Sequence, residues 1–142
     1  MKNFLLRSIS KSNLEQKKYI YNEFKKLNIS KKNKIIFLGL TYKKGTSTLR
    51  RSEALDFFKW LIRNNYKNIK IHDPIVKNFD NKYKDFFTKN LKNDLIKADC
   101  ILLFYNQLFY KNYYKFIKKT NKKRFIFDPF CLFKIKNQIK QI

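Results

Sequence analysis

One segment carries the residue types best suited to binding chemistry. It runs from Gly39 to Ser52 and reads GLTYKKGTSTLRRS, with two lysines, two arginines and several hydroxyls. It leads into a helix predicted to begin at Ser52, a residue type favoured at helix N-caps. The amides and dipole of a helix N-terminus attract phosphate, and lysine and arginine add charge-assisted contacts. The segment is therefore either an anion-binding loop or a solvated basic loop in a basic protein.

Other reactive side chains are isolated along the chain. His72 and Asp73 could form an acid–base pair, but neighbours on a strand point to opposite faces, so we interpret His72 as a lone strand-end histidine. Cys100 and Cys131 have no base nearby in sequence and are interpreted as packing thiols. Asp73 and Asp128 each precede a proline and could orient a ribose or a loop, with turn formation favoured. We therefore predict no catalytic residue in this chain.

Composition narrows the class of protein. The chain has 142 residues, about one domain, with a net charge of +24 and 18% aromatic residues, which excludes a disordered basic tail. Its two glycines cannot form the G-x-G-x-x-G fingerprint, and their spacing does not fit a Walker A loop. One histidine and two cysteines are too few for a usual zinc site and give no disulfide framework. We expect a cytoplasmic domain without a cofactor or metal site of its own.

Neither a membrane nor a nucleic acid is the expected partner. The longest apolar run, Cys100 to Tyr105, is about a third of a bilayer-spanning helix, and the N-terminus lacks a signal-peptide apolar region. The positive charge is spread along the chain together with Asn, Ile, Phe and Tyr, all residues with A/T-rich codons. Compositional drift explains such a charge without a nucleic-acid partner. A basic nucleic-acid-associated domain is kept as an alternative.

Residues 3–27 predict one long helix, because Leu5, Ile9, Ile20, Phe24 and Leu27 keep a helical stripe. Polar residues 13 and 16 interrupt that stripe. The helix therefore either packs partly against another chain or domain, or is an ordinary surface helix with an imperfect apolar face. A polar linker follows at 28–33.

After the linker, strands and helices alternate. Strands are predicted at 35–38, 69–71, weakly near 85–88, at 101–105 and at 125–127, with helices starting near 52, 91 and 110 and another in the tail after residue 132. Continuous apolar strands between helices predict a doubly wound parallel α/β sheet with an N-terminal helical extension. Ligands in such sheets bind beyond the carboxyl ends of the strands, where the segment starting at Gly39 lies.

That segment resembles a known family. The run Ile35 to Leu55, IIFLGLTYKKGTSTLRRSEAL, is similar to the opening of the C-terminal, UDP-binding domain of the UDP-glucose/GDP-mannose dehydrogenase family, a strand followed by roughly LGLAFKxxTDDxRxSPAL. The matching positions in the segment are Tyr42, Lys43, Thr46, Arg50, Ser52, Ala54 and Leu55. Weaker matches follow in the right order at Asp73-Pro74, Asp99 and Phe127-Asp128, and the first helix resembles the end of the family's central region through Asn13 and Gln16.

The resemblance implies a fold and a partner. It implies a Rossmann-like domain at 31–142, preceded at 1–30 by the end of a dimerisation region. Members bind NAD in an N-terminal domain, use a catalytic cysteine upstream of the central helix, and oxidise a sugar alcohol twice to a carboxylate for polysaccharide biosynthesis. The 142 residues include neither that domain nor that cysteine segment.

The resemblance therefore implies a UDP-sugar-binding fragment or split subunit of an NAD-dependent oxidoreductase. Such a subunit would form a homodimer or join a separate NAD-domain chain, and would be inactive alone. The implied substrate-binding residues are Tyr42, Lys43, Thr46, Arg50 and Ser52.

Departures from the family pattern keep other functions open. The acidic pair of TDD is Ser47-Thr48 here, so no acid is present to orient Arg50. The arginine of the family's DGR is missing, because Asp128 is followed by proline and phenylalanine. The TEW after the fourth predicted strand is Phe104-Tyr105-Asn106. These losses favour a stand-alone UDP-sugar-binding module or a non-functional remnant over a split enzyme.

Overall fold

The computed structural model of the chain describes residues 2–41, 49, 52–76, 79–104, 109–119 and 122–129, with the side chains of 2–9 and 119 excepted. The elements in chain order are α1 (Lys2–Lys26), β1 (Ile35–Leu38), α2 (Glu53–Arg63), β2 (Ile69–His72), a 3-10 helix (Asn81–Phe86), α3 (Leu91–Lys97), β3 (Cys100–Leu103), α4 (Tyr110–Lys119) and β4 (Phe125–Phe127). None of the helices among these residues is long and apolar enough to cross a membrane.

The strands form one parallel sheet in the order β2-β1-β3-β4. Ile35 of β1 lies opposite Ile69 of β2 on one side and Cys100 of β3 on the other. Every residue of β1 and β3 is buried, because helices cover both faces, which is why their apolar runs are continuous. The predicted doubly wound α/β sheet is confirmed. Its strand order reverses between β1 and β3, and this switch point is where such sheets bind ligands.

An aromatic layer fills one face of the sheet. Phe37 of β1 stacks on Phe104 with ring centroids 4.9 Å apart, and Phe57 of α2 lies 5.1 Å from the same ring. Trp60 stacks on Tyr21 of α1 at 5.2 Å. The aromatic residues of α2 therefore form core and not an exposed stacking platform, as the sequence predicted.

The C-terminal end of α1 belongs to that layer. Ile20, Phe24 and Leu27 are buried, and Phe24 meets the rings of Phe57 and Phe127 edge-on at 5.2 and 5.5 Å. Residues 10–16 are exposed, and the side chain of Leu14 is 52% accessible. The stripe residues whose side chains are described therefore all pack in the core, whereas residues 10–16 form an exposed half of the helix. Docking of this exposed half on another chain stays a prediction, and so does the division at residue 30.

The weak strand predicted near 85–88 is wrong. A 3-10 helix occupies residues through Phe86, and only Phe87 pairs with β2, as an isolated bridge to Ile71. The 3-10 helix turns two rings onto α2, since Tyr83 and Phe86 lie 5.4 and 5.3 Å from Phe58. Burial of these rings outweighs the extended conformation that their sequence favours. The helix predicted in the tail lies outside the described residues.

Candidate functional site

The candidate site lies at the carboxyl edge of the sheet, where β1 ends at the switch point. Gly39 leaves the strand with φ 84°, a left-handed conformation that costs glycine little because it has no Cβ. Its N–H donates to the carbonyl of His72 at the end of β2, 2.9 Å away. The chain thus turns out of the sheet beside the end of the neighbouring strand, as binding loops of such folds do.

Asp73 holds the start of the loop. Its Oδ2 accepts hydrogen bonds from the N–H groups of Leu40 and Thr41 at 2.8 and 3.1 Å and from the Thr41 hydroxyl at 3.2 Å. Its Oδ1 accepts from the N–H groups of Ile75 and Val76 at 2.9 and 3.2 Å. Asp73 as a whole residue is 7% exposed. Asp73 therefore shapes its own turn, as predicted, and also fixes the first residues of the neighbouring loop.

Ser52 holds the end of the loop. Its hydroxyl accepts from the N–H of Leu55, which makes it the predicted N-cap of α2, and donates to the carbonyl of Leu40. The residue is 2% exposed. Leu40 and Ser52 are therefore in direct contact, so the two ends of the loop meet directly before the amide-rich end of α2. A closed loop at a helix N-terminus of this kind can bind an anion.

The predicted site residues fall into two groups. Ser52 is described, and its hydroxyl is engaged with the protein's own backbone. Tyr42, Lys43, Thr46 and Arg50 lie outside the described residues, and so do Ser47 and Thr48. The described geometry therefore defines the base of the loop, while the substrate-binding roles of all five residues stay predictions.

Comparison with known proteins supplies the family. The sequence model of the UDP-glucose/GDP-mannose dehydrogenase family, UDP binding domain, matches residues 36–135, which include all of β1 but its first residue, the whole loop and β4. This chain belongs to that family. No curated protein matches the sequence.

Solved structures of dehydrogenases share the fold of this UDP-binding domain. GDP-mannose dehydrogenase from Pseudomonas aeruginosa is 21% identical with a TM-score of 0.67, over 87% of this chain and 30% of that chain. UDP-N-acetyl-mannosamine dehydrogenase Cap5O from Staphylococcus aureus is 23% identical. Its derivative structure has a TM-score of 0.63 over 87% of this chain and 28% of that one, and its native structure 0.62 over 89% and 29%. The chain thus spans less than a third of these enzymes.

The weaker family matches prove to be structural. Asp99, before β3, accepts a hydrogen bond from the Lys34 N–H at 2.8 Å and pairs with Lys122 at 2.8 Å. These contacts lower its pKa, the Lys122 bond being the largest cause. Asp99 lies at the amino edge of the sheet, away from the loop. Asp128, at the end of β4, is buried.

A histidine–tyrosine pair at the end of β2 was missed by the sequence reasoning. The Tyr110 hydroxyl donates to the His72 carbonyl at 2.8 Å and lies 2.9 Å from the His72 Nδ1. The hydroxyl has one proton, so it donates to one of these two groups at a time, and it can accept from Nδ1 when it donates to the carbonyl. Burial lowers the pKa of His72, and the negative charge of Asp73, which raises this pKa, offsets only part of that effect. A sequence separation of 38 residues gives no local signal for this contact.

The remaining candidates that the structure describes are closed to solvent. Cys100 is fully buried, and burial raises the pKa of its thiol, which agrees with a packing role and not a nucleophilic one. Phe104, where the family has the threonine of TEW, packs into the aromatic layer. Cys131 lies outside the described residues.

Proposed function

We propose that the chain is the nucleotide-sugar-binding part of an NAD-dependent UDP-glucose/GDP-mannose dehydrogenase-type enzyme. It binds a UDP-sugar at the loop after β1. Lys43 contacts the diphosphate or the sugar, and Tyr42, Thr46 and Arg50 complete the binding surface together with the first amides of α2. Ser52 acts by holding the loop closed.

One observation carries this proposal. The loop that matches the family motif leaves β1 at the switch point, and Asp73 and Ser52 fasten its two ends. A loop with fixed ends can present a lysine to a phosphate at a low entropy cost, since fewer backbone conformations are lost on binding. The same hydrogen bonds also place the loop before an 11-residue helix whose N-terminus favours negative charge.

The oxidation itself needs parts outside these 142 residues. Hydride transfer requires an NAD site, and two glycines cannot form the fingerprint of one. We place NAD and the cysteine nucleophile on another segment or a separate chain in the cytoplasm. The exposed half of α1 would provide the contact with that chain or with a second copy of this one.

A second candidate is a remnant that has lost its ligand. Two observations favour it, since Phe104 turns into the core where the family has TEW, and proline follows Asp128 where the family has glycine and arginine. A remnant would keep the fold and the closed loop without measurable affinity for a nucleotide sugar.

The test compares two adjacent lysines. Lys43 matches the family motif and Lys44 does not, so the variants Lys43→Ala and Lys44→Ala remove the same charge one residue apart. One charge-assisted contact is worth about 1.5–3 kcal/mol, so Lys43→Ala should weaken UDP-sugar binding roughly ten- to hundredfold. Titration calorimetry with UDP, UDP-glucose and GDP-mannose at physiological salt measures this, and Lys44→Ala should change the affinity by less than about threefold.

Three results would contradict the proposal. Equal losses in the two variants would mean that a diffuse basic field and not a site binds the ligand. Binding of a random DNA duplex more tightly than any nucleotide sugar would support a nucleic-acid-associated domain. No binding of either ligand would identify the remnant.

A further inference from the structure

A groove lies at the opposite, amino edge of the sheet. Its volume is about 520 Å³, and it is bounded by the starts of β1 and β2 and by the ends of the 3-10 helix and α3. Phe86 contributes the accessible apolar floor, beneath which Ile36 is fully buried, and the lysines at positions 34, 67, 70 and 97 line the groove. Pockets that hold small molecules have volumes of about 300–1,000 Å³, largely apolar walls and a few polar groups.

The lysines give the groove a net positive charge. Four lysines line it, against the two carboxylates of Asp85 and Asp94. The Asp94 carboxylate accepts a hydrogen bond from Thr88. The Lys70 ammonium donates to the Asp85 carbonyl at 3.0 Å. Within the described part of the chain, the ammonium groups of the other three lysines form no ion pair or hydrogen bond. Their charge is therefore available to a ligand.

The adjoining end of α3 does not oppose an anion. The last carbonyls of a helix carry partial negative charge, which would repel one. Here the Arg124 guanidinium donates to the Leu95 carbonyl at 2.6 Å, and the Lys122 ammonium donates to the Lys97 carbonyl at 2.7 Å. Two cations thus neutralise the end of this helix, and the amino edge stays basic.

We propose that this groove binds a small organic phosphate whose flat apolar body rests on the floor and whose phosphate meets the lysine rim. Phe86 and the methylene stems of the lysines would contact the body, and the ammonium groups of Lys34, Lys67 and Lys97 would contact the phosphate. The groove is separate from the loop after β1, because it lies at the other end of the strands. The proposal is therefore independent of the UDP-sugar site.

The probe is 1-naphthyl phosphate, titrated into the nitrogen-15-labelled full chain and followed by amide NMR. Naphthol supplies the body without the charge, and inorganic phosphate supplies the charge without the body. We expect the perturbed amides to cluster at Asn68, Lys70 and Ala98, and those of Gly39 and Leu40 to stay unchanged. Each half-ligand should bind at least about tenfold more weakly, because it loses either the apolar contact or the charge-assisted one.

A charge-matched pair of variants locates the site. The double variant Lys67→Gln/Lys97→Gln should weaken 1-naphthyl phosphate binding at least about tenfold, whereas Lys111→Gln/Lys115→Gln, exposed lysines of α4, should change it by less than about twofold. The amide spectra of both variants report directly that the fold is kept.

Equal effects of the two pairs would overturn the proposal, because they would show a general basic field. Shifts at the carboxyl edge, or scattered over the surface, would also overturn it. Tighter binding of a random RNA than of 1-naphthyl phosphate, with shifts along the whole basic surface, would replace the small-molecule site with a nucleic-acid one.

Discussion

Asp73 fastens two loops of the carboxyl edge with one carboxylate, and its replacement gives the most direct test of the site's construction. The change to alanine removes the acceptor used by the N–H groups of Leu40 and Thr41, both in fully buried residues. The N–H groups of Ile75 and Val76 lose it as well, but these residues are only half-buried and can reach water.

The two buried N–H donors determine how much stability the Asp73→Ala change removes. Each buried donor left without this acceptor costs about 1–3 kcal/mol, so Asp73→Ala should lower the free energy of unfolding by about 2–6 kcal/mol. Small domains are stable by about 5–15 kcal/mol, so a loss at the upper end of this range would unfold much of the protein, and a milder change is needed beside it. Asp73→Asn keeps one oxygen and turns an amide N–H₂ toward some of the donors, and should cost about 1–3 kcal/mol.

Urea unfolding measures both changes. Trp60, the single tryptophan, stacks on Tyr21 and Phe57 between α1 and α2, so its fluorescence reports the packing of the core. The matched control is Asp80→Ala, because the exposed Asp80 caps the 3-10 helix through one hydrogen bond to the Lys82 N–H at 3.1 Å. Asp80→Ala should lower the free energy of unfolding by about 1 kcal/mol or less. If Asp73→Asn and Asp80→Ala destabilised the chain equally, the carboxylate would not fasten the loop as described.

Two further predictions concern the histidine pair and the first helix. Burial lowers the pKa of His72 in the folded protein below its ordinary value of 6.5. The unfolded chain therefore takes up this proton more readily, and the stability that is present above pH 6.5 is lost as the pH falls through the lowered pKa. His72→Gln should flatten the dependence of the urea midpoint on pH below 6.5, and an unchanged slope would exclude this histidine as its source. Light scattering should show the full chain larger than a monomer and the chain lacking residues 1–16 monomeric, since this deletion spares the buried Ile20 and Phe24. A monomer before the deletion would remove α1 from the proposed assembly.

The sequence predicted the elements well where one local signal sufficed. The apolar runs of β1 and β4 were placed at their observed bounds, because strands buried on both faces are continuously apolar. The start of α2 was placed correctly, because Ser52 followed by an amphipathic stretch is a strong N-cap signal. The 3-10 helix was mistaken for a strand, since a short aromatic run fits either conformation and the ring of Phe58 decides between them.

Contacts between distant residues could not be predicted in this way. The turn at Asp73-Pro74 was predicted, but the hydrogen bond that the Leu40 N–H donates to the Asp73 carboxylate crosses 33 residues. The helical stripe of α1 showed which side is apolar, and not what covers it. At its C-terminal end the cover is the domain's own core, where Phe24 packs between Phe57 and Phe127. A stripe specifies a face, whereas its partner depends on the tertiary fold.

The family match has to be divided into residues that build the loop and residues that contact a ligand before it says anything about function. Gly39, Asp73 and Ser52 are required for the loop to close, whatever it binds, because each takes part in the hydrogen bonds at its base. A remnant under selection for folding alone would keep all three. Their presence therefore supports the fold and does not separate a working UDP-sugar site from a lost one. A lysine at a defined loop position separates them, because the contact of its ammonium group with a phosphate is realised only when a ligand is bound. The difference in affinity between Lys43→Ala and Lys44→Ala isolates that contact from the positive field that both lysines share.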